Sequence, residues 1–179
     1  VSVARISPEK EIDRLISLMQ YLGPDYVLHI YGEIVDEKYK RKLGALMLKH
    51  NVSNNIFFYG WNQEKLIEAY LSSDLYIHPS AYEPFGLSII EAAYAKLPIL
   101  LDQSPLIGAG EILDPSNACL RIPLNNPKMA ANQIKSLKKD EKLMRDLSLR
   151  AYLIAKKYTV ENQTQRIIAL SNANISNIK

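Results

Sequence analysis

The chain alternates short apolar runs with longer stretches in which apolar residues recur every three or four positions. That rhythm belongs to parallel strands, buried on both faces and joined by crossover helices. Strands are expected over residues 1–4, 26–31, 56–59, 75–78, 98–101 and 118–122, with Gly32 and Gly60 closing the second and third. Helices are expected over 8–22, 37–50, 63–71 and 87–96, and from residue 127 to about 170. In the first of these, Ile12, Leu15, Ile16, Met19 and Leu22 share one face. The pattern amounts to an α/β fold, a doubly wound parallel sheet of about six strands with helices on both faces. It spans residues 1–170 and leaves the asparagine-rich 171–179 as a frayed tail. A length of 179 residues suffices for one such domain and not for two large ones.

Other classes are excluded by what the sequence lacks. No apolar run approaches the roughly 20 residues needed to cross a bilayer, and the opening Val-Ser-Val-Ala-Arg has no signal-peptide pattern, so a cytoplasmic protein is expected. Because the chain opens directly on an apolar run, further sequence is expected to precede it. With Cys119 alone no internal disulfide can form, and His29, His50 and His78 have no metal-ligand spacing, so no metal is expected. The glycine fingerprints of dehydrogenases and P-loop ATPases are missing. A net charge of +3 is too small to indicate nucleic acid. Lys138, Lys139, Lys142, Arg145, Arg150, Lys156 and Lys157 concentrate basic charge late in the chain, which reads as a solvated helix face or as a surface resting on an anionic membrane.

Doubly wound sheets bind ligands beyond the carboxyl ends of their strands. Those ends carry Arg5, Ser7 and Lys10, then Gly32, then Gly60 and Trp61, then Ser80, Glu83, Phe85 and Gly86. Gly86 before a helix lets backbone approach a ligand, and the unpaired amides of the first turn attract phosphate. Glu91, about one turn into that helix, leans back toward the same place and suits vicinal ribose hydroxyls, while Glu83 enters from the loop. Each feature has an ordinary alternative: a helix-dipole glutamate, a common Pro-Phe-Gly turn, exposed cations beside Glu9 and Glu11. Two acids, a glycine turn and two cations on one edge together favour a site for a diphosphate-bearing ligand. His78 reads as a satisfied structural histidine and His29 as core. Trp61 either stacks on a nucleobase or caps the sheet edge.

Val3-Ala-Arg5-Ile-Ser-Pro-Glu-Lys10, Phe57-Phe-Tyr-Gly60, Asp74-Leu-Tyr-Ile-His-Pro-Ser80 and Glu83-Pro-Phe-Gly-Leu-Ser-Ile-Ile-Glu91-Ala resemble, in order and spacing, the carboxy-terminal domain of family 4 (group 1) glycosyltransferases. The resemblance covers about residues 1–125. It implies the Rossmann-like donor-binding half of a GT-B enzyme. Such an enzyme transfers sugar from a nucleotide-diphosphate donor, with retention and without a metal or other cofactor. The acceptor, a sugar or a lipid-linked sugar, would be held by an amino-terminal domain absent from this chain, so the chain alone would bind donor without catalysing transfer. Arg5 and Lys10 would neutralise the diphosphate, Glu83 would face the donor sugar, and Glu91 would bind the ribose. Phe85, Gly86 and Leu87 would act through backbone amides, and Gly60 and Trp61 would flank the base. The resemblance is broken at Ala4 and Glu11, where glycines are usual, and at Lys96, which must then adopt a left-handed conformation. Gly108-Ala-Gly110-Glu111 matches too roughly to bring Glu111 into the site. The richness in asparagine, lysine and isoleucine points to bacterial surface polysaccharide or glycolipid synthesis, at the inner face of the membrane. The competing readings are a stand-alone nucleotide-sugar-binding module and a GT-B nucleotide-sugar epimerase.

Overall fold

The computed structural model describes residues 1–159 and 162–164, so the expected tail and the end of the last helix lie outside the described residues. Six strands are present among the described residues, all parallel to their neighbours: β1 (Ser2–Val3), β2 (Leu28–Tyr31), β3 (Ile56–Tyr59), β4 (Tyr76–Ile77), β5 (Ile99–Asp102) and β6 (Leu120–Ile122). They form two three-stranded sheets, β1-β2-β3 and β4-β5-β6, which lie side by side as the halves of the expected parallel array. The two are joined at Val1, just before β1, whose amino group donates to the Leu75 carbonyl at 2.8 Å and whose own carbonyl accepts the Ile77 amide at 3.0 Å, the pattern of a parallel strand pair. Across that seam the strand order is 3-2-1-4-5-6, the order of a doubly wound fold.

Alternation along the strands sorts their side chains into two cores. Ile30, Ile77 and Leu100 enter one, with α1 (Ile12–Leu22), α2 (Glu37–Lys49) and α6 (Pro127–Lys139). Tyr31, Tyr76, Ile99 and Leu101 enter the other, with α3 (Gln63–Ser72), α4 (Leu87–Tyr94) and α5 (Gly108–Leu113). The last helix, α7 (Glu141–Ala155), serves both, sending Leu147 to the first core and Ala151 and Ile154 to the second. Each buried leucine or isoleucine contributes about 1.5–3 kcal/mol, so the sorting fixes which face every helix covers. None of the helices among the described residues is long and apolar enough to cross a membrane.

Helix boundaries depart from the periodicity where a polar side chain intervenes. The segment expected as one helix over 8–22 is a 3-10 turn, Pro8–Lys10, then Glu11 in a left-handed conformation (φ 49°), then α1. The expected C-terminal helix breaks at Asp140, whose carboxylate accepts the Leu143 amide at 2.9 Å and so starts α7. The short helix α5 was not expected at all. Lys96 does adopt the left-handed conformation (φ 63°), closing α4 with the Leu97 amide on Ala92 O and its own on Ala93 O.

At the carboxyl end of β2, Gly32 has φ 153°, and a Cβ there would stand 2.0 Å from the Ala4 carbonyl oxygen. Both atoms belong to backbone that β1 and β2 hold in register, so neither can move cheaply. Gly32→Ala is expected to destabilise the fold by about 2 kcal/mol or more, the scale of overpacking a rigid site, measured by denaturant unfolding.

Candidate functional site

The loops that follow β1 and β4 meet at the seam between the sheets, and there Lys10 Nζ donates to Glu83 Oε2 at 2.7 Å. Both side chains are only 16% exposed, so the pair is largely removed from water. Glu83 is held by its own backbone: its amide donates to Leu106 O at 2.9 Å, and its carbonyl accepts from the Gly108 amide at 2.8 Å. Gly108 permits this approach, because a Cβ there would lie 2.1 Å from the Pro84 carbonyl oxygen. Burial by itself would raise the Glu83 pKa. The hydrogen bond and charge of Lys10, with the Phe85 amide, outweigh it and hold the carboxyl below the usual range.

Gly86 caps α4 at φ 87°, and a Cβ there would meet Ile89 Cδ1 at 2.5 Å and Glu83 Cγ at 3.2 Å. No side chain caps this helix; the Ile89 amide donates to the Gly86 carbonyl at 2.9 Å, and the Leu87 and Ser88 amides before it are without a partner among the described residues. Phe85 leans toward the Tyr158 ring, with centroids 6.1 Å apart, and Leu87 is exposed. Glu91, exposed on the same helix, receives a hydrogen bond from Tyr70 Oη at 3.1 Å through one of its two carboxylate oxygens. Burial, and then the neighbouring Tyr76 and Glu91, push the Tyr70 hydroxyl pKa upward, so it stays a donor.

Arg5 lies on the same edge, after β1, but its side chain is 62% exposed and, among the described residues, pairs only with Glu9, at 3.5 Å. Such a surface pair holds little energy and releases its cation readily. Gly60 and Trp61 follow the outermost strand, β3, with Trp61 65% exposed. Two strand spacings, about 10 Å, separate β3 from β1, so they flank the site from a distance. The structure thus joins Lys10 to Glu83 directly, sets Phe85, Gly86 and Leu87 beside them and Glu91 a turn further on, and leaves Arg5, Gly60 and Trp61 around the rim.

Three contributors escape a reading of the sequence. Tyr70 carries no motif. Gly108 is recognisable only once its neighbour Pro84 is known. Glu11 sits where the resemblance calls for glycine, and that departure was its signal: its Oε2 accepts the Ala81 amide at 2.6 Å and Arg14 Nη1 at 3.1 Å. Arg14 in turn reaches the buried Asp102 at 2.5 Å. The left-handed turn therefore hangs α1 on the loop that carries Glu83.

A cavity of about 710 Å³ lies at the opposite end, where Tyr26, Leu28, Asp74 and Leu75 mark the amino ends of β2 and β4. The site residues do not line it. Of the late basic cluster, Arg145 pairs with Glu141 and Arg150 with Asp146, while Lys138 covers the Tyr26 ring and Lys156 the Tyr152 ring. These contacts favour the helix-face reading.

The family model described as glycosyl transferases group 1 matches residues 1–154. The poly(ribitol-phosphate) alpha-N-acetylglucosaminyltransferase of Staphylococcus aureus is 28% identical over 177 residues, which is 96% of this chain and 34% of that protein. HepE of Anabaena, crystallised with UDP and glucose, superposes with a TM-score of 0.84 at 22% identity, over 96% of this chain and 47% of that one. The C-terminal domain of LpcC, a group 1 family protein of Francisella tularensis, superposes at 0.75 with 21% identity, over 89% and 85%. The chain spans about a third of the S. aureus relative and about half of HepE. At these identities the structural likeness establishes the fold, the Rossmann-like half of a GT-B architecture.

The Lys10–Glu83 pair has a pH signature. A carboxylate whose folded pKa is depressed stabilises the fold above its unfolded pKa of about 4.3, and that stability is lost as pH falls through the folded pKa. Lys10→Met is expected to raise the Glu83 pKa in a carbon-13 titration. It should also cost about 1–3 kcal/mol at neutral pH, a penalty that fades once Glu83 is protonated.

Proposed function

Because the chain belongs to the group 1 glycosyltransferases, we propose that it is the donor-binding half of a retaining, metal-independent enzyme that moves sugar from a nucleotide-diphosphate donor to an acceptor. The acceptor is held by a domain outside this chain. The observation that carries this reading is the meeting of Lys10, Glu83 and the uncapped first turn of α4 on the carboxyl edge, with Glu91 one turn beyond. A diphosphate seated there takes Lys10 from Glu83, gains Arg5 from the rim, and rests against the α4 amides. Those positive groups stabilise the charge that develops on the departing nucleoside diphosphate, the role a divalent ion plays elsewhere. The freed Glu83 carboxylate accepts from a hydroxyl of the donor sugar. Glu91, with one oxygen on Tyr70, turns the other to the ribose, while Gly60 and Trp61 flank the base.

Crystals of HepE with UDP support a uridine diphosphate donor, and the poly(ribitol-phosphate) acceptor in the S. aureus relative's name supports surface polysaccharide or glycolipid synthesis at the cytoplasmic face of the membrane, with sugar or lipid-linked acceptors. Transfer needs both walls of the cleft, so the chain alone binds donor without transferring its sugar.

Two measurements test this. Calorimetric titration with UDP in the presence of chelator is expected to give a Kd between about micromolar and millimolar; binding that appears only with magnesium would sink the metal-free reading. In the same titration Glu91→Gln should weaken UDP by about 1–3 kcal/mol. Glu83→Gln should leave UDP affinity unchanged or slightly higher, because it releases Lys10. If Glu91→Gln instead lowers only the thermal midpoint, Glu91 belongs to the helix and to Tyr70 and binds no ribose.

A further inference from the structure

Tyr76, His78 and Ser80 occupy alternate positions along β4 and its extension, so their side chains share one face. All three are buried. Tyr76 Oη lies 3.3 Å from His78 Nδ1, and His78 Nε2 lies 2.9 Å from Ser80 Oγ and 3.7 Å from Glu83 Oε2. On the far side Tyr76 Oη is 2.9 Å from Ser88 Oγ, and Ser88 donates to the Val3 carbonyl at 3.3 Å. The row thus runs from the backbone of β1, beneath the α4 N-terminus, to within 3.7 Å of the carboxylate of the site.

The distances in this row favour one arrangement of its protons. Ser88 donates to the Val3 carbonyl at 3.3 Å, and the Tyr76 hydroxyl, which reaches that carbonyl only at 3.5 Å, donates to the nearer Nδ1 at 3.3 Å. The ring of a neutral imidazole then carries its hydrogen on Nε2, facing Ser80 Oγ and the Glu83 carboxylate. The opposite tautomer would set a lone pair against that anion in a site shut off from water. Burial opposes a positive ring, Glu83 favours one less strongly, and Lys10 opposes it; the balance pushes the His78 pKa down to about 4, so the ring is neutral at physiological pH.

We propose that His78 is a positioning residue of the donor site: a neutral imidazole, with its proton fixed on Nε2 by Tyr76, that keeps Glu83 ionised and aimed at the sugar after Lys10 turns to the diphosphate. In the unliganded chain Lys10 does most of this. Once a diphosphate draws that cation away, Glu83 faces new negative charge, and what remains to favour its carboxylate form is the Phe85 amide and the dipole of an Nε2–H held 3.7 Å away. The part concerning the diphosphate rests on the donor-binding reading above, whereas the tautomer and its coupling to Glu83 do not.

Long-range proton–nitrogen spectra of the labelled chain test the first part. Between about pH 6 and 8 His78 should show the Nε2–H tautomer throughout; an Nδ1–H tautomer or an imidazolium in that range would overturn the proposal. For the second part, the Glu83 carboxyl is titrated by carbon-13 with saturating UDP in the native chain and in His78→Phe and His78→Gln. The Phe variant should raise the Glu83 midpoint by about one pH unit, and Gln, whose amide donates from the position of Nε2, should return most of it. An unchanged midpoint in a folded Phe variant would refute the coupling. Should the Phe variant not fold, the native tautomer and the Gln midpoint decide: a Gln midpoint close to native supports the role, and one raised by a full pH unit denies it. Failure of UDP to bind the native chain would instead count against the donor reading, and the same titrations without UDP would still judge His78.

Discussion

Two small sheets meet along a border so narrow that only the backbone of Val1 bridges it, with its amino group on the Leu75 carbonyl and its carbonyl on the Ile77 amide. The chemistry of the protein is gathered on that border. Lys10 reaches over it to Glu83, Glu11 to the Ala81 amide, Arg14 to Asp102, and Ser88 to the Val3 carbonyl. Every one of these joins the half built on β1 to the half built on β4 or β5. Strand pairing that is thin in the middle is therefore reinforced at its carboxyl edge by polar side chains, and the groups that reinforce it are the groups a ligand would meet. Stability and recognition draw on the same few contacts.

That overlap shapes the electrostatics. A lysine waiting for a phosphate would, if unpaired and four-fifths buried, weigh against folding; pairing with Glu83 removes the penalty and orients both groups. The pairing also means that any anion entering the site exchanges one partner for another rather than filling an empty field. The net attraction is then the difference between two strong interactions, which suits an anion that must leave as readily as it arrives.

The architecture was largely legible because periodicity is a local property. Strands alternate every two residues and helices every three or four, so the six strands and most helices could be placed from neighbours alone. The misses came where a distant or polar contact intervenes. Asp140 looks like any charged residue in a basic helix until its carboxylate is seen capping α7, and Glu11 looks helical until Ala81, 70 positions away, claims its carboxylate. The site behaves the same way. The residue types at the strand ends made Lys10, Glu83, Gly86 and Glu91 visible as candidates, but no spacing in the sequence reveals an ion pair between positions 73 apart, or that Tyr70 steadies Glu91.

The left-handed turn at Glu11 carries an evolutionary consequence. A glycine there would adopt φ 49° without steric objection but would have no carboxylate to offer Ala81 and Arg14, whereas a glutamate must bear the backbone strain to make the tether. The merit of either residue depends on what stands at position 14 and on how loop 80–83 is otherwise restrained. Substitutions at these places are therefore epistatic: a lineage that has taken the tether can change Arg14 only at the expense of Glu11, and the route back to glycine opens only after the loop has found another anchor.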